Sequence, residues 1–174
     1  YNESGKIPII VPLYSGKPTL SNTNYINLQS NGVIIESDPL TISVNKPIIV
    51  PALWQGLFKN GTGSAAAPAA APTAAVGNNF QIRNIHIKCL GTLNANGGGG
   101  ICRRYFGKGM LSSANLIENC SFQGDIGTNA GGICGFMCGP LGTFQIKNCY
   151  SIGSIGDEAG GLCGSECGKN GTVT

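Results

Sequence analysis

Eight cysteines, eight carboxylates and a single histidine are the side chains of this 174-residue chain best suited to redox, acid–base or metal chemistry. The cysteines are Cys89, Cys102, Cys120, Cys134, Cys138, Cys149, Cys163 and Cys167. An even count this high points to an oxidising compartment and disulfides, with buried free thiols or zinc ligation as the other uses of it. The spacing C-x-x-x-C recurs at 134–138 and 163–167, yet His86 is the only histidine and stands away from both. Zinc would therefore need four thiolates. No metal and no cofactor is expected.

The carboxylates are Glu3, Glu36, Asp38, Glu118, Asp125, Asp157, Glu158 and Glu166. Cleaving a glycosidic bond takes two of them flanking one bond. They are scattered instead, and the adjacent pair Asp157-Glu158 reads as a solvated turn. The run of glycines at 97–100 lacks the Lys-Ser/Thr that completes a phosphate loop, so it reads as a turn. No catalytic residue is assigned, and an enzyme is not expected. Charged residues make up 11% of the chain with a net charge of +3, and Arg103-Arg104 is the only adjacent basic pair. That is too weak to imply nucleic acid, and no nucleic-acid partner is expected. No run approaches the roughly 18 apolar residues of a membrane helix, so membrane insertion is not expected.

The elements that must carry these residues are short. The chain holds 28 glycines without a collagen period, and helix formers are scarce outside one Ala-rich stretch. Residues 1–59 contain β-rich runs at 8–11, 25–28, 32–35, 40–44 and 47–50, separated by turn pairs such as Asn31-Gly32. No clean repeat is visible there, and this part is expected to be an irregular β cap or first coil. Residues 60–79 are rich in Ala and Pro, and Pro68 and Pro72 favour an extended loop or linker over a helix.

The remainder repeats. Residues 115–143 and 144–172 align without a gap, and 15 of their 29 positions are identical. Residues 80–114 are a looser copy with six residues inserted. Each unit is broken by glycine every few residues, which is too often for helices and right for three short strands and their turns. The expected fold is all-β, a parallel β-solenoid with coils 80–114, 115–143 and 144–174. Stacking would align Ile82, Ile117 and Ile146, then Leu93, Ile126 and Ile155, then Ile101, Ile133 and Leu162. Asn84, Asn119 and Asn148 would form a side-chain amide ladder at a turn. Cys120 would lie over Cys149, Cys138 over Cys167, and Cys102, Cys134 and Cys163 in a row. A Cα spacing near 4.8 Å would admit cross-coil disulfides, with a ladder of buried thiols as the alternative. Three cysteines cannot all pair within one column, and Cys89 is the expected odd partner because its parity with Ile85 and Ile87 points it inward.

The pattern NCYSIGSIG…AGGLCG at 148–164 resembles the GLUG repeat, named for its Gly-Leu-x-Gly core. That family builds β-solenoids in bacterial surface proteins and adhesins, and similar Cys-bearing arrays occur in large DNA viruses. The resemblance covers residues 80–174 and implies fold rather than ligand. Here Cys134 and Cys163 stand where the family more often has Val.

Function follows as expectation. The chain is read as a non-enzymatic structural or adhesive module, stapled by disulfides, on a cell or virion surface or secreted, and able to assemble into fibres. The alternative is a carbohydrate-active β-helix, a hydrolase or lyase whose groove lies in the N-terminal half. Partners would be a second copy of itself, a glycan or a surface protein. Arg103, Arg104, Tyr105 and Phe106 fall in the insertion of the looser coil and are expected to project as a partner contact. Sequons at Asn2, Asn60 and Asn170 are open to glycosylation in a eukaryotic secretory route, and Asn119 fits the same pattern. Only Thr143 and Thr172 form a threonine column, too few for ice binding. The chain starts at Tyr1 and stops within a strand that matches 142–145, so it is expected to continue into further repeats or to be covered by another molecule.

Overall fold

The computed structural model describes residues 20–21, 25–28, 31–38, 42–60, 79–110 and 112–174. The strand expected at 8–11, the Ala- and Pro-rich stretch 61–76, Glu3 and the sequon at Asn2 lie outside them. Within them the chain is all-β, with eleven strands and no helix. They are β1 (Ile26–Asn27), β2 (Ile34–Glu36), β3 (Ile48–Val50), β4 (Phe58–Lys59), β5 (Gln81–Arg83), β6 (His86–Thr92), β7 (Leu116–Glu118), β8 (Ser121–Asp125), β9 (Thr143–Lys147), β10 (Tyr150–Ile152) and β11 (Thr172–Val173).

Three separate sheets take these strands in rotation. One runs β11-β9-β7-β5-β2, a second β10-β8-β6-β3, and the third is the pair β1-β4. Every strand pair is parallel. Single bridges extend the third ladder from Phe58 to Cys102, Cys134 and Cys163. Neighbours in a sheet are thus equivalent segments of successive copies, which the repeat in sequence demands: identical segments prefer identical partners in register.

The register follows the copies. Ile35, Ile82, Ile117 and Ile146 pair in one row, and Ile48, Ile87 and Phe122 in another. Ile126 bridges Ile155, and Thr172 pairs Thr143. The six extra residues of the looser copy are spread out. Two lie between Lys88 and Thr92, where the β6–β8 register shifts and Leu90 bulges outward. One more precedes Gly99, and three follow Cys102.

The first half joins the same ladders. Residues 31–60 supply β2, β3 and β4, one strand to each sheet, although their sequence shows no repeat. A stacked strand needs only a short extended run with apolar residues on the inner face, which dissimilar sequences can provide. The run at 40–44 is a correction. Its described part is a tight turn, with Ser43 and Lys46 in an antiparallel bridge and Ile42 N–H donating to Asp38 O at 2.8 Å.

Between the sheets lies one core built from Ile82, Ile87, Leu93, Ile101, Ile117, Phe122, Ile133 and Phe144, with Trp54 and Phe58 from the first half. Burial changes along the stack. Leu93 and Ile126 are 0% and 2% exposed, whereas their row-mate Ile155 is 56% exposed. Inner copies are covered on both sides, and the last described copy on one.

Candidate functional site: a line of stacked thiols

Glycine shapes the wall against which the thiols stack. Gly99, Gly131 and Gly160 form one row of bridges. At each, an added Cβ would lie 2.0 Å from the carbonyl oxygen of the cysteine three residues on, namely Cys102, Cys134 and Cys163. Only hydrogen fits in that turn, so the Gly-Gly-x-Cys segments are locked to one shape. That shape sets Cys102, Cys134 and Cys163 one above another as bridge partners.

Cys102, Cys134 and Cys163 follow one another as bridge partners, and the C-x-x-x-C spacing sets Cys138 and Cys167 a turn further on from Cys134 and Cys163. Cys120 and Cys149 make a second pair. Carbonyls take the remaining thiol protons: Cys138 Sγ donates to Arg103 O at 3.1 Å, Cys120 Sγ to Glu118 O at 3.2 Å and Cys149 Sγ to Lys147 O at 3.2 Å. Cys89, the expected odd partner of the column, is buried and donates to Pro51 O at 3.1 Å.

All eight cysteines are free thiols in this structure. The cross-coil staples expected from the Cα spacing are therefore absent from it. Vertical neighbours in a parallel stack are translated images, so their Cβ atoms are also about 4.8 Å apart, whereas disulfides need roughly 3.5–4.5 Å.

Electrostatics divide the thiols. Burial pushes Cys102 and Cys134 up, and Cys89 likewise. Cys120 is raised by the neighbouring Cys149 thiol and then by burial, and Cys149 is lowered by Cys120, whose N–H donates to its Sγ at 3.4 Å. Cys163 is lowered because it accepts from Cys134 and Cys167, and the Cys167 thiol is raised by making that bond. Burial holds the enclosed members as thiols. Among the described residues no group of three or more His, Cys, Asp or Glu is arranged to hold a metal ion.

The acids do not converge. Glu118 pairs with Arg83 at 3.4 Å, Asp125 Oδ1 accepts from Ser154 N–H at 3.2 Å, and Glu36 Oε1 accepts from Asn84 Nδ2 at 3.0 Å. Glu166 pairs with Lys169 at 2.6 Å, while Asp157 and Glu158 form an exposed turn. His86 Nδ1 lies 2.7 Å from Ser121 Oγ, and burial lowers its pKa.

Two expectations need correction. Arg103, Tyr105 and Phe106 do not project: they are 3%, 8% and 1% exposed, and Arg104 is half-buried. Only three of the inserted residues fall here, and positive φ at Tyr105, Gly107 and Gly109 folds the segment back on the stack. Phe106 packs edge-on against Phe80 at 4.8 Å, and the Arg103 guanidinium lies 4.5 Å from the Tyr25 ring. The asparagine row stands, but for another reason. Asn84, Asn119 and Asn148 have φ of 56°, 52° and 51°, a left-handed conformation that Asn tolerates better than most residues. Asn84 spends its amide on Glu36, and Asn119 and Asn148 are exposed.

Asn60 is closed to modification, being 3% exposed. Its Oδ1 accepts from Gly107 N–H at 2.8 Å, and its Nδ2 donates to Met110 Sδ. Asn115 was missed. Fully buried, it accepts from Phe80 N–H at 3.3 Å and donates to Thr143 O at 2.9 Å, tying three copies together. A lone Asn in a row otherwise held by Phe80 and Phe144 was the available signal. The chain matches no protein-family model, no curated protein and no solved structure.

Proposed function

We propose that this chain is a parallel β-solenoid serving as a non-enzymatic structural or adhesive module on a cell or virion surface. The observation that carries the reading is the unbroken register from Ile35 through Ile82 and Ile117 to Ile146, with all strand pairs parallel. Wound chains of this kind are rigid because each copy is fixed by hydrogen bonds and apolar burial on both neighbours. The GLUG-like pattern at 148–164 agrees with such a coil and with a surface role. Dispersal of the carboxylates into separate ion pairs and turns favours binding or scaffolding over glycan cleavage. Partners on this reading are a glycan, a surface protein or a second copy.

The test runs glycan binding and glycan cleavage on the same purified protein, with electron microscopy for fibres. Binding or assembly without turnover is expected, and it should survive joint replacement of Asp125, Asp157 and Glu158 by Asn or Gln. Turnover that the triple replacement abolishes would overturn the reading.

A further inference from the structure

Successive copies are translated images of one another, and one pair of thiols obeys that rule down to its sulfur atoms. Cys120 and Cys149 hold the same place in their copies, because the flanking pairs Glu118–Lys147 and Ser121–Tyr150 are in register. Cys120 Sγ donates to Glu118 O, two residues back, at 3.2 Å and lies 3.8 Å from Ile82 O in the copy before. Cys149 Sγ repeats both contacts one copy later, with Lys147 O at 3.2 Å and Ile117 O at 3.7 Å. Ile82 and Ile117 are themselves row partners. The two side chains therefore point the same way, and their sulfurs are separated by about the strand spacing of 4.8 Å. Cys120 N–H also donates to Cys149 Sγ at 3.4 Å, which fixes that sulfur against its neighbour's backbone.

That spacing selects what the pair can hold. A disulfide needs its sulfurs about 2 Å apart, far closer than translation sets them. Zinc takes four ligands, more than two thiols supply. A soft monovalent ion such as Cu(I) is satisfied by two thiolates in line. At about 2.3 Å for each metal–thiolate bond, such an ion spans about 4.6 Å from sulfur to sulfur. The match to the ladder spacing is within a few tenths of an ångström. On the other side of Cys120 the row continues with Ile85, buried at 4% exposure, so the ligand pair is bounded there by a side chain that cannot bind metal.

We propose that Cys120 and Cys149 form a linear two-coordinate site for one soft monovalent metal ion of the Cu(I) class, held between successive copies. On binding, two S–H bonds break and two S–metal bonds form. The two protons pass to solvent, and no atom changes oxidation state. The Cys120 N–H stays on the Cys149 sulfur and steadies the charge that the thiolates bring. The ion would tie one copy to the next without drawing their backbones together, which a disulfide could not do. This site goes beyond the structural or adhesive reading and does not depend on it, since it needs only the parallel register.

The experiment titrates the reduced 174-residue protein with Cu(I) under anaerobic conditions, against bathocuproine disulfonate as competing chelator, and counts the ions retained. Cys120→Val suits a row that already holds Ile85, and Cys149→Ser keeps the size of the side chain. Each should lower the count by one, and the two together also by one, because both sulfurs bind the same ion. Cys89→Ser should leave the count unchanged. In wild-type crystals loaded with Ag(I), an ion of the same class, an anomalous peak is expected between Cys120 Sγ and Cys149 Sγ, about 2.3 Å from each. No ion retained by the wild type would overturn the proposal, as would a count that neither single replacement lowers or a loss of two in the double. No silver between these two sulfurs would overturn it as well, and that wild-type measurement decides the matter even if a variant fails to fold.

Discussion

Replacing Gly132 by alanine puts a methyl carbon 2.2 Å from Gly161 O and 2.5 Å from Ser151 Cβ, both in the next copy. Ordinary contact needs more than about 3 Å, so the two copies must part by about 1 Å or the turn must distort. The backbone there is held by Gly132 N–H to Gly161 O at 3.0 Å and Ile133 N–H to Leu162 O at 3.0 Å. Weakening both costs about 2 kcal/mol at roughly 1 kcal/mol each, and residual overpacking adds about 1–3 kcal/mol. The expected loss is therefore about 3–5 kcal/mol. At about 2–4 °C per kcal/mol for a chain of this size, the melting temperature should fall by roughly 10 °C. Gly161 occupies the same row one copy later, but its added Cβ would meet only Ser151 Oγ at 3.4 Å and Ile155 Cδ1 at 3.7 Å. Gly161→Ala should therefore stay within about 0.5 kcal/mol of wild type. Urea unfolding of both variants, read by circular dichroism, makes the comparison. Equal losses at the two sites would refute the stacking register from which the difference is worked.

Asn119→Gly should be nearly neutral and Asn119→Val should cost about 1–2 kcal/mol in urea unfolding, because the position demands positive φ rather than an amide. Equal costs would restore the amide ladder. Phe122→Ala, at a fully buried site, should cost about 3–5 kcal/mol, while Ile152→Ala at 58% exposure should stay within about 0.5 kcal/mol. His86 has a folded-state pKa lowered by burial, so near pH 6 the unfolded chain binds more protons than the folded one. Its contribution is present above the unfolded value of about 6.5 and is lost as pH falls through the lower folded value. The urea midpoint should therefore drop between about pH 7.5 and pH 5.5 by a margin that His86→Gln removes. An unchanged slope in the variant would assign the pH dependence elsewhere.

Periodicity carried most of the back half. Identical residues at a 29-residue spacing leave few ways to stack except in register, so the rows of Ile117 and Ile146, Ile126 and Ile155, and Cys134 and Cys163 were readable from residue identity. Glycine at 131 and 160 was readable as a corner for the same reason. Three matters needed the tertiary structure. The first half enters the same sheets without resembling the repeat, because a strand is recruited by its backbone and one apolar face, which many sequences satisfy. The segment 103–106 turns inward because Phe80 and Tyr25 meet it there, and those contacts join residues far apart in the chain. How far each thiol is enclosed depends on its place in the stack. A column of letters shows that Cys134 lies under Cys163, but only packing shows that Cys134, with copies on both sides, is fully buried while Cys163 is half-buried.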